Sequence, residues 1–166
     1  MRAPVTIPYS PRPLQMEVHR LRRKHRFGVL VCHRRFGKTV LSVNDLIRSA
    51  LTCKKERPRS GYLAPTYTQG KATAFDYFRH YADPIPGRVV NQSELRIDFP
   101  NAGQARIYGA DNPDSLRGLY FDDVVLDEYG LHQSKTYSEV VAPTLVDRGG
   151  SALFAGTAIK VYGLAL

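Results

Sequence analysis

The chain has 166 residues, 43% hydrophobic and 23% charged, which is material for one soluble domain with its own buried core. Its formal charge of +9, from 24 basic and 15 acidic residues, favours a polyanionic partner, because lysine and arginine displace counterions from phosphates. The two cysteines, Cys32 and Cys53, carry no metal-ligand spacing, and no apolar stretch is long enough to span a bilayer. Nothing in Met1 to Pro13 resembles the apolar core of a secretory leader, so a reducing, cytoplasmic setting without a membrane is expected.

Residues 1–13 hold Pro4, Pro8, Pro11 and Pro13 and are expected to form an extended arm. Leu14 to Arg26 has no helix breaker and predicts a helix with a strongly basic end, "HRLRRKHR". Phe27 to Cys32 is a valine-rich run that predicts a buried strand. After the loop that follows, Thr39 to Leu51 places Val40, Val43, Leu46 and Ile47 on one helical face. A basic loop around Pro58, with Lys54, Lys55, Arg57 and Arg59, leads into a strand at Gly61 to Ala64. Thr68 to Tyr81 predicts a helix carrying Phe75 and Phe78. Leu95 to Phe99 and Ala105 to Tyr108 alternate about "PNAG" and predict a hairpin. Val124 to Leu126 predicts a buried strand, with Asp122 and Asp123 as loop charges before it. Ser134 to Val141 predicts a helix, and Ala152 to Ala155 a last buried strand. Strands alternating with helices imply an α/β fold, a mostly parallel sheet covered on both faces with a β-hairpin insertion.

Two segments carry chemistry. The first is "CHRRFGKT", Cys32 to Thr39, between a strand and an amphipathic helix. Backbone N–H groups at a helix N-terminus and the helix dipole favour a phosphate there. Lys38 would reach the outer phosphates, Thr39 would place its hydroxyl on Mg²⁺, and Gly37 would let backbone approach phosphate closely. The loop lacks its usual first glycine, Cys32 standing there. Arg34 and Arg35 could compensate by stabilising charge near the γ-phosphate, with Arg34 the candidate for that role and a phosphate-independent surface charge the alternative for Arg35. The second is "YFDDVVLDEYG", which delivers Asp127 and Glu128 to a strand tip, the edge where ligands collect on parallel sheets. Asp127 would hold the metal and Glu128 would act as general base toward water.

Together with three further segments these residues resemble the ATPase motor domain of the large terminase subunit of tailed bacteriophages. The segments are "PRPLQMEVH", "CHRRFGKT", "YLAPTYTQGK", "DSLRGLYFDDVVLDEY" and "LFAGT", in that order along residues 11–157. The resemblance implies a P-loop NTPase fold of RecA-like (ASCE) type over residues 14–157, with ATP and Mg²⁺ as cofactors. It makes the whole of Cys32, His33, Arg34, Arg35, Phe36, Gly37, Lys38 and Thr39 a nucleotide cradle, adds Gln15 as the adenine contact and Thr157 as a sensor of γ-phosphate loss, and offers Arg117 as an arginine finger on a neighbouring subunit. Implied partners are double-stranded DNA, a small terminase subunit, a portal on the procapsid, and further copies of the chain in a ring.

The resemblance fades at Ala158, where "AIKVYGLAL" replaces the proline and basic segment usual in the family. Residues 158–166 are expected to form a divergent tail of a truncated product, with no nuclease domain and no DNA cutting. A strand following residue 157 is expected to be missing, leaving an apolar sheet edge. Two other readings share the same residues: a helicase-like, nucleic-acid-dependent ATPase, and an inactive prophage remnant.

Overall fold

The computed structural model describes residues 5–157. The expectations placed on residues 1–4 of the arm and on 158–166 lie outside them. Seven strands form one sheet in the order β1-β7-β6-β2-β5-β4-β3. They are β1 (Phe27–Cys32), β2 (Arg59–Ala64), β3 (Val89–Asn91), β4 (Arg96–Asp98), β5 (Gln104–Gly109), β6 (Asp123–Leu126) and β7 (Ser151–Thr157). The first five strands in that spatial order run parallel, while β4 adds antiparallel to β5 and β3 antiparallel to β4. The hairpin expected about "PNAG" is β4–β5, and Ala102 takes the positive φ of 60° that its tight turn requires.

Helix α1 (Pro13–Arg22) starts on a proline, whose missing N–H costs nothing at a first helical position. Helix α2 (Lys38–Thr52) buries Leu41, Leu46 and Ile47 completely against the sheet, each contributing about 1.5–3 kcal/mol. The helical stretch after β2 comprises α3 (Tyr67–Gly70), a π-helical turn (Lys71–Phe75) and α4 (Asp76–Ala82). Phe75 and Phe78 from it join α2 in a core with Tyr62, Ile97, Ile107 and Leu153. The opposite sheet face packs Leu63, Val124, Leu126 and Ala152 against Leu116, Val140, Val141 and Leu145. Those last three come from a π-helical segment (Thr136–Val141) and α5 (Ala142–Val146), a helix that runs past Pro143 because proline at a first-turn position removes no needed donor.

The structure corrects two expectations. Strand β1 is not buried: it pairs with β7 alone among the described residues, and Phe27, Val29 and Val31 are 48%, 76% and 64% exposed. Leu30 and Cys32 alternate with them and pack on the core, so a run apolar on both faces was misread as covered on both. Asp122 lies in the bend before β6, as expected, but Asp123 belongs to the strand itself. Both are buried, Asp123 inside β6, and each is neutralised by arginine. Arg148 and Lys55 hold Asp122 at 2.9 and 3.3 Å. Arg22 ties Asp123 to Asp45 of α2, which also takes His19 at 3.2 Å and Arg48 at 2.9 Å.

Candidate nucleotide site

Because β1, β6 and β7 are parallel and adjacent, their C-terminal ends lie at the same edge of the sheet. Arg35 (φ 67°) and Gly37 (φ 86°) turn the loop back into α2. The loop's carbonyls are tied from outside. Gln15 Nε2 donates to the Phe36 and Gly37 carbonyls at 3.1 and 3.3 Å, and the Arg12 guanidinium donates to the carbonyls of Phe36 and Arg35. With its carbonyls bound to α1, the loop presents the unpaired N–H groups of the α2 N-terminus to the other side. A Cβ on residue 37 would stand 2.7 Å from the ends of both Arg12 and Gln15, a second reason for glycine there.

On that other side lies a cavity of about 840 Å³, lined by Arg34, Arg35, Gly37, Lys38 and Thr39 from the loop and by Asp127, Glu128 and Thr157 from the neighbouring strand ends. Its volume falls in the range of small-molecule sites. Within it Lys38 Nζ donates to Thr157 Oγ1 at 2.9 Å and stands 3.4 Å from Glu128. Thr157 in turn donates its hydroxyl to Glu128 Oε1 at 2.7 Å and its backbone N–H to Oε2 at 3.2 Å. Glu128 is held in a left-handed backbone conformation, φ 45° and ψ 49°, which turns its side chain out of the strand direction toward this group. Burial raises the Glu128 carboxyl, but the Thr157 bonds and the Lys38 charge outweigh it, so the group sits below the usual glutamate range and is ionised at neutral pH. Asp127 differs. Burial holds its carboxyl above the ordinary aspartate range, against a hydrogen bond of 2.5 Å from the Tyr62 hydroxyl, and the Glu128 charge adds to the rise.

The structure therefore brings Lys38, Thr39, Arg34, Arg35, Gly37, Asp127, Glu128 and Thr157 around one space. It does not bring Cys32, His33, Phe36, Gln15 or Arg117 into the lining. Phe36 turns into the core, His33 hydrogen-bonds the Arg34 carbonyl, and Cys32 pairs with Thr157 as strand backbone. The Gln15 amide is used on both ends, its oxygen accepting from the Arg12 N–H at 2.9 Å and its nitrogen on the loop. Arg117 is exposed and pairs with Asp114 at 2.7 Å.

No protein-family model matches the chain. The terminase large subunit of Thermus virus P23-45 is 29% identical over 170 residues, covering 90% of this chain. The ATPase domain of the Thermus phage P74-26 large terminase superposes with a TM-score of 0.73 and 27% identity, over 96% of this chain and 68% of that one. This chain is similar to phage terminase large subunits. Its fold is the α/β P-loop NTPase fold of their ATPase domains. A large terminase of a thermophilic bacteriophage, solved in complex with ATP-gamma-S, shares the fold at 16% identity, with a TM-score of 0.68 over 87% of this chain and 37% of that one. The chain spans about a third of the length of the curated terminase relatives it matches.

The donor set facing the terminase-like cavity suits a magnesium ion. The Thr39 hydroxyl and the Asp127 carboxylate are hard oxygen donors on one space, and Mg²⁺ takes one or two such groups plus phosphate oxygens and water. Among the described residues there is no group of three or more His, Cys, Asp or Glu able to hold a metal, so most of its shell would come from phosphate and water. Sequence reading missed Tyr62, Thr73, Tyr77 and Val40. The first touches Asp127, and the other three wall the cavity beyond Thr39. Their positions look like ordinary strand and helix packing, and only the fold shows which face meets the cavity. Among the described residues no helix is long and apolar enough to cross a membrane.

Proposed function

We propose that the chain is the ATP-hydrolysing motor portion of a phage terminase large subunit, driving double-stranded DNA into procapsids. The observation that carries this reading is the meeting of Lys38, Glu128 and Thr157 across one cavity at the strand tips, within 3.4 Å of one another. Similarity to terminase large subunits favours it over a helicase-like ATPase.

In this reading the triphosphate lies along the α2 N-terminus, with Lys38 and Arg34 facing its outer charge. Thr39 and Asp127 would hold Mg²⁺, which when bound supplies charge neutralisation at the phosphate oxygens. Glu128, ionised and held over the cavity, accepts the proton of the attacking water as its oxygen bonds to phosphorus and the bond to the leaving diphosphate oxygen breaks. Thr157, bonded to both Lys38 and Glu128, is placed to register the arrival and loss of the terminal phosphate at the end of β7. Gln15 and Arg12 fix the loop from outside, and the adenine contact assigned to Gln15 would require its amide to exchange a present partner. Arg117 would leave Asp114 to act on a neighbouring copy in a ring. A portal and a small terminase subunit are the proposed partners.

The test is ATP hydrolysis by the purified chain and by Lys38→Ala, with thermal melting in Mg-ATP beside it. Wild type should hydrolyse and should melt higher with nucleotide, since a ligand of the native state alone raises the midpoint. A wild type that shows neither is the remnant and not a motor.

A further inference from the structure

We infer that Tyr62 is a positioning residue for the metal site: its phenol pins one oxygen of Asp127 so that the carboxylate presents the other to the cation. This rests on the nucleotide-site reading above. Tyr62 is completely buried in the middle of β2, where its ring packs edge-on against Phe78 at 6.2 Å. A ring so placed would be equally well packed as phenylalanine, and the hydroxyl is the only polar atom it adds to an apolar layer. A buried phenol needs a partner, and here the partner is the functional carboxylate: Tyr62 Oη donates to Asp127 Oδ2 at 2.5 Å.

The backbone fixes this geometry. Tyr62 lies opposite Val125 in the β2–β6 ladder, and Asp127 N donates to the Leu63 carbonyl at 2.8 Å. Asp127 thus sits just beyond the last paired residue of β6, where its main chain is anchored to β2 and its side chain to Tyr62. Hydrogen-bond partners of metal ligands set ligand orientation, and their removal typically lowers metal affinity by about 10–100-fold.

The experiment titrates MgCl₂ against wild type and Tyr62→Phe at fixed ADP, reading the melting midpoint. Removing one oxygen leaves the packing of β2 intact, and the ADP-dependent rise is read against each protein's own midpoint without nucleotide, which the lost hydrogen bond to Asp127 should lower in the variant. The Mg²⁺ concentration giving half of the ADP-dependent rise should increase by about tenfold. Introduced on an Asp127→Asn background, Tyr62→Phe should add nothing to the Mg²⁺ dependence, because the carboxylate it orients is gone. Titrations of wild type and Tyr62→Phe that coincide overturn the role of Tyr62 and leave the nucleotide reading standing. A wild type with no ADP-dependent shift at any Mg²⁺ concentration overturns both.

Discussion

Strand β6 is four residues long and carries a carboxylate pair at each end, and the two pairs have opposite fates. At its start Asp122 and Asp123 are met by Arg148, Lys55 and Arg22, and Ser151 donates to the same Asp123 oxygen as Arg22, at 2.8 Å. At its end Asp127 and Glu128 are met by hydroxyls and a single ammonium, those of Tyr62, Thr157 and Lys38, beside open space. A guanidinium holds a carboxylate in fixed planar geometry, and each carboxylate of the first pair has one while neither of the second does. Hydroxyl and ammonium partners exchange at lower cost when a phosphate or metal arrives. The identity of the partner, more than burial, separates the structural pair from the chemical one.

That contrast is open to attack from both ends. The largest effect is expected from Arg22→Ala, which leaves buried Asp123 without a charged partner and takes one of three from Asp45. It should cost about 3–5 kcal/mol in urea unfolding, while Glu128→Gln at the other end should stay within about 0.5 kcal/mol of wild type. Equal losses would abolish the distinction. Next, Glu128→Gln should lower the hydrolysis rate by about 100-fold or more with nucleotide binding retained, whereas Asp122→Asn should leave the rate per folded molecule unchanged. A smaller effect concerns acid. Burial raises the Asp45 carboxyl, but His19, Arg22 and Arg48 overcome it and hold the group well below the aspartate range. With the folded value depressed, its stabilisation is complete above the unfolded value of about 3.9 and is lost as pH falls below it. Wild-type stability should therefore drop more steeply than that of Asp45→Asn below about pH 4, by up to about 1.4 kcal/mol per pH unit. The smallest shift belongs to Thr157→Val. Losing the hydroxyl that lowers the Glu128 carboxyl should move the acid limb of the hydrolysis profile to higher pH, and an unmoved limb would remove Thr157 from contact with the base.

Much of this was readable in the chain. The strand–loop–helix order about Gly37-Lys38-Thr39 and the apolar run into Asp127-Glu128 follow from local periodicity and turn chemistry, which the fold retains. The hairpin at "PNAG" was legible for the same reason. Partnership over long sequence separation was not. Arg22 and Asp123 lie 101 residues apart and Tyr62 and Asp127 lie 65 apart, and no local pattern says that either pair will touch. The exposure of β1 was hidden because a strand apolar on both sides reads alike whether it lies inside a sheet or at its margin. The burial of Asp122 and Asp123 was not legible, because their neutralising arginines come from α1 and from the turn before β7.

The bonds joining Lys38, Thr157 and Glu128 have a consequence for equilibrium selectivity. The lysine and the carboxylate already compensate each other, so they offer stray anions little. A triphosphate must break those bonds to claim the lysine, while a diphosphate that stops short can leave them whole. In the proposed reading the affinity gained from the third phosphate is thereby partly cancelled, and ATP and ADP should bind with similar strength.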